Sequence, residues 1–151
     1  MGLLFDFYAG RGRELGEAYQ ELDFDRLEDL SRGHADLSLH ISPRDLDLLS
    51  EQAFRIVGKE AVGVFDSFAQ NVGRTDAGSA DVMNPQWVAV LAEFPETQIE
   101  QLTDEWMESV RQESGETLEV TPEARKAVSA LVAVCRIARQ QGLDVVFTWS
   151  P

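Results

Sequence analysis

A chain of 151 residues with 27 acids against 13 bases carries a net charge of −14, which disfavours bare nucleic acid and anionic membrane as partners and leaves basic proteins open. At that length one domain, residues 1–151, is expected to bury roughly 68–70% of its unfolded surface, and the single cysteine, Cys135, cannot form an intramolecular disulfide. No run approaches the ~20 apolar residues that span a bilayer, and the N-terminus lacks the basic start of a secretory signal, so a cytoplasmic protein is expected.

Leu3, Phe5 and Phe7 alternate with Leu4, Asp6 and Tyr8, which predicts a first strand with one face in the core. Gly10-Arg-Gly12 turns the chain. A short helix follows from Glu14 to Leu22, and Leu27 and Leu30 continue a weaker helical turn as far as Ser31-Arg-Gly33. Ala35, Leu37, Leu39 and Ile41 then alternate with Asp36, Ser38 and His40, which predicts a half-buried strand. Ser42-Pro43-Arg44-Asp45 combines a cap, a first-turn proline and an acid, so a helix begins there and ends at Gly58.

Ala61, Val62, Phe65, Phe68, Ala69 and Val72 fit a further amphipathic helix, and Arg74 to Met83 has no apolar period and is expected to be the longest loop. Asn84-Pro85 caps a short helix bearing Trp87, Val88, Leu91 and Phe94. A longer one runs from about Thr97 to Gln112, and Thr117 to Val120 suggests a brief edge strand. Thr121-Pro122 opens a long buried helix with Val128, Leu131, Val134, Cys135 and Ala138 at helical spacing, Gly142 stops it, and Asp144 to Trp149 forms a last strand. Cys135 and the three tryptophans, Trp87, Trp106 and Trp149, are expected in the core. These elements define an α+β domain, a small mixed sheet of three or four strands covered by several helices.

The strongest charge feature lies between Glu93 and Glu123, where ten acids face Arg111 alone and supply −9 of the −14. Glu96, Glu100, Asp104 and Glu108 step by four along one helix face. Like charges at that spacing oppose the helix by about 0.2–0.5 kcal/mol per pair, so a cationic partner would relieve them and be steered to them. The stripe is therefore the candidate partner-binding surface, beside the plainer reading of a solvated acidic face.

His34, Asp36 and His40 share one side of the central strand and form the alternative catalytic set. The two histidines are roughly 20 Å apart in an extended strand, so they cannot hold one metal ion, and no metal or cofactor is expected. Leu39-His40-Ile41-Ser42 resembles the H-x-S signature of the 2H phosphoesterases, which use two such motifs, whereas this chain has one. Gly10-Arg-Gly12-Arg-Glu-Leu-Gly16 sits between strand and helix as a phosphate-cradling turn would, but leucine occupies the third glycine place of the dinucleotide fingerprint. A tight turn with Arg11 and Arg13 as a weak anion site is what remains. No G-x-S-x-G elbow occurs.

In outline the chain resembles the YfbM-like family of small uncharacterised bacterial proteins. The points of contact are Met1-Gly2 opening a first strand that ends in Tyr8-Ala9, and a C-terminal helix that passes through Gly142 into a last strand, Leu143 to Trp149. The resemblance implies an α+β fold and a cytoplasmic bacterial setting, and it assigns no catalytic residue. Two functional classes follow from the residues. The first is a non-enzymatic, immunity-like module presenting the acidic helix to a basic protein. The second is a small enzyme or ligand-binding domain using the His34/Asp36/His40 face.

Overall fold

The computed structural model describes residues 4–39, 41–58, 66–115 and 120–150. In chain order its elements are β1 (Leu4–Gly10), α1 (Gly12–Gln20), α2 (Phe24–Leu30), β2 (Gly33–Asp36), α3 (Asp45–Ile56), β3 (Phe68–Thr75), β4 (Gly78–Met83), α4 (Pro85–Ala92), α5 (Ile99–Ser114), entered through a 3-10 turn at Glu96–Gln98, α6 (Pro122–Gln141) and β5 (Asp144–Ser150). The class is α+β. Among the described residues the sheet has five strands in the order β2-β1-β5-β4-β3, and every neighbouring pair is antiparallel, so the expectation of a mixed sheet of three or four strands is corrected.

The additional strands come from the stretch expected to be helix and loop. Phe68 and Val72 happen to lie four apart, but Phe68–Thr75 is a strand, and Arg74 to Met83 is the turn and return strand of a β3/β4 hairpin. Polar side chains take the place of the missing apolar alternation: Asn71 Nδ2 donates to the Gly73 and Ala80 carbonyls and to Asp81. The β3 side of the hairpin is bulged on both sides of this residue, which blunts an edge strand against further pairing. Residues 61–65 of the expected helix, and 117–119 of the expected edge strand, lie outside the described residues.

The sheet buries both faces. On one, Phe5, Phe7, Val145 and Phe147 meet α3, α4, α5 and α6 in the main core. On the other, Tyr8, Ala80, Val82 and Val146 pack under Leu15, Ala18 and Tyr19 of α1 and Leu27 of α2. The long C-terminal helix is built as its sequence demands, with Thr121 accepting from the Ala124 amide and Gly142 in the left-handed region at φ 66°. Cys135 is fully buried, and burial pushes its thiol pKa up.

β2 is shorter than its alternation predicts. Its ladder stops at Asp36, whose carboxylate accepts from the Ser38 amide at 2.9 Å, while the Leu39 amide closes a tight turn on the Leu37 carbonyl. Ser38 Oγ still accepts from the Phe5 amide, so a side chain continues what the backbone leaves.

Candidate functional site

The acidic stripe meets its cations inside the chain. Arg125 of α6 reaches Glu100 at 3.0 Å and Asp104 at 3.3 Å, Arg136 reaches Glu96 at 2.6 Å, and Arg139 reaches Glu93 at 2.6 Å. On the other flank of α5, Arg55 of α3 pairs with Glu105, and Arg44, just before α3, holds Glu113 through two hydrogen bonds. Glu108 pairs with Arg111 on its own helix. The repulsion that the spacing builds into α5 is thus offset by arginines of its two neighbours. Arg136 also donates to the carbonyls of Ala92 and Phe94, fastening the end of α4 to the start of the acidic stripe. An open hollow of about 470 Å³ lies alongside, lined by Ala92, Glu93, Arg136, Arg139 and Gln140.

The second candidate set assembles differently from its sequence order. His34 stands directly opposite Tyr8 across the β1/β2 ladder and stacks on it, with ring centroids 4.8 Å apart and planes 21° from parallel. Its Nε2 lies 2.7 Å from Asp6 Oδ1, on the diagonal of the same ladder. Burial raises the Asp6 pKa, against the lowering effect of the His34 hydrogen bond and charge. Burial, reinforced by the charges of Asp6, Glu28 and Asp36, pushes the Tyr8 pKa up to about 12. Asp36 faces Asp6 across the ladder and is committed to the Ser38 amide, and His40 lies outside the described residues. Asp6 and Tyr8 are the partners the sequence reading missed. Their signal was the alternation of β1 itself, which sets both on the face away from Phe5 and Phe7.

The glycine turn is occupied from within. The Gly12 amide, at the start of α1, donates to Asp144 Oδ2 at 3.0 Å, so a carboxylate of the last strand takes the place an anion would have. Arg11 and Arg13 point along their own helix to Glu14 and Glu17. A Cβ at Gly12 would stand 2.9 Å from the same Asp144 oxygen and 2.8 Å from Val82 Cγ2, which is why glycine is required there. Since Arg11 makes no side-chain cap, Asp144→Ala is expected to lower unfolding free energy by about 0.5–2 kcal/mol, as for a lost N-cap; a urea titration checks it.

Among the described residues, no group of three or more His, Cys, Asp or Glu side chains is arranged to hold a metal ion, and no helix is long and apolar enough to cross a membrane. No protein-family model matches the sequence, and no curated protein matches it. By its elements and sheet the chain is an α+β protein built on one antiparallel sheet. Among solved structures it is similar to YfbM from Escherichia coli, a protein of unknown function, with 14% identity over 97% of this chain and 99% of that one and a TM-score of 0.44.

Proposed function

We propose that this protein is a non-enzymatic binding module for a basic protein, and that Glu96, Glu100, Asp104 and Glu108 form its contact ridge. The observation that carries this is the layering of charge. The Glu96 side chain is 76% exposed above Arg136 at 29%, and Glu100 is 70% exposed above Arg125 at 42%. Arginines beneath hold the carboxylates in place, which reduces the rotamer freedom they lose on binding, and the outward oxygens meet an approaching cation first. Immunity proteins that neutralise basic toxins are an analogy for such a design and no more than that.

The test is capture from a lysate of the source organism at low and high salt. Wild type is compared with a variant carrying Glu96→Gln, Glu100→Gln, Asp104→Asn and Glu108→Gln. Each exposed ion pair is worth about 0–1 kcal/mol, so the variant is expected to stay folded, as thermal unfolding will report, and to lose a basic protein that wild type captures only at low salt. Equal capture by both sinks the ridge.

A second reading is favoured by the His34 and Asp6 pair. A carboxylate that orients an imidazole leaves the other ring nitrogen to move a proton, the relation used in general acid–base catalysis. A small enzyme or anion-binding domain of phosphoesterase-like chemistry would use it. Ring signals of His34 are then expected to shift on adding inorganic phosphate to wild type, and less with Asp6→Asn. No response in wild type dismisses this reading.

A further inference from the structure

We infer that the turn joining α1 to α2 is a docking knob for a basic protein that offers an apolar pocket. This goes beyond the ridge, since α1 and α2 cover the opposite face of the sheet from α5 and α6.

Helix α1 closes with the Leu22 amide on the Tyr19 carbonyl and the Asp23 amide on the Ala18 carbonyl, a helix end whose left-handed position normally takes glycine. Here the position is leucine at φ 58°, the single non-glycine residue with positive φ among the described residues. A leucine is disfavoured in that conformation, and its side chain gives the fold little in return, because Leu22 is 60% exposed and its neighbour Phe24 57%. Two large apolar side chains therefore stand out together at one tight turn, on a backbone that glycine would satisfy better.

The charge around them selects the partner. From Glu17 to Asp29 the chain carries six acids against Arg26 alone, a net of −5, and Arg26 is held by Glu17 and Glu21. On α5, by contrast, arginines of neighbouring helices offset the acids. An apolar centre with a charged rim is the anatomy of a protein contact. Two copies of this turn would bring like charges together, and an anionic membrane would be repelled. A pocket ringed by lysine or arginine is what remains.

Photo-crosslinking in cells of the source organism tests this, with Phe24→benzoylphenylalanine in one protein and Glu100→benzoylphenylalanine in another. Crosslinks from position 24 are expected to reach a basic protein, and to map to apolar residues flanked by lysine or arginine. Adding Leu22→Gly, which fits the left-handed backbone, is expected to leave the melting temperature equal or higher and to cut the crosslink yield about tenfold. The knob is overturned by crosslinks from position 100 alone, by crosslinks from 24 to a second copy or to lipid, by none from either position, or by a yield that Leu22→Gly does not change. Crosslinks from 24 without any from 100 would remove the ridge and leave the knob.

Discussion

Trp106→Ala is expected to lower unfolding free energy by about 3–5 kcal/mol, a large share of the 5–15 kcal/mol typical of a domain. Trp106 has no exposed surface, and its indole Nε1 donates to the Asp45 carbonyl at 2.7 Å, next to the bond from Trp87 to the Leu46 carbonyl at 3.1 Å. The two tryptophans thus pin successive carbonyls of the first turn of α3 from α4 and α5. Those carbonyls also accept the amides one helical turn on, so removing an indole leaves no carbonyl unpaired. The hydrogen bond itself is therefore worth about 0.5–1.5 kcal/mol, and the remainder is volume. Trp106→Phe, which keeps most of the volume and loses the donor, should be much milder than Trp106→Ala. Urea unfolding of both variants decides it. A Phe variant as damaged as the Ala variant would show that the bond, and not the filling of space, holds α3 in place.

The parts of the fold legible in the sequence are those where local and tertiary demands agree. Thr121, Pro122, the apolar stripe through Cys135 and Gly142 each point to α6, and β5 follows as a run bounded by Gly142 and the chain end. The hairpin of β3 and β4 was illegible for the opposite reason. Its strand character depends on partners, since Ala80 and Val82 pair with Thr148 and Val146 of β5 while Asn71 and Asp81 bond to each other, and no alternation within the stretch announces that. The internal partners of the acidic stripe were present in the sequence but not in its neighbourhood. Arg125 and Arg136 are eleven residues apart, close to three helical turns, so they fall on one stripe of α6. Only the packing of α6 beside α5 brings that stripe to Glu96, Glu100 and Asp104. Asp6 entered the His34 pair for the same kind of reason, through a strand register that no spacing within either strand specifies.

Gly16→Ala is the second substitution expected to have a large effect, and it bears directly on the α1–α2 turn. A Cβ at Gly16 would stand 2.3 Å from the Val72 carbonyl oxygen and 2.7 Å from its carbon, and one at Gly73 would stand 2.6 Å from the Gly16 oxygen. Backbone lies on backbone here, so no side chain can turn aside to make room. The helix must lift from β3, and overpacking of this kind lowers stability by about 1–3 kcal/mol, sometimes more, although alanine is the better helix former by about 1 kcal/mol. Gly73→Ala acts on the same contact, so the double variant should lose less than the sum of the two singles. Hydrogen exchange separates this from general softening. Amides of β3 and β4 should lose protection first, since α1 is what covers that end of the sheet, while those of α6 keep it until the whole chain opens. Uniform loss of protection would mean that the glycine contact is not a local hinge between α1 and the sheet. If protection is lost locally, crosslinking from Phe24 should weaken along with it, because the position of the Leu22 and Phe24 side chains is set by how α1 sits on Gly73.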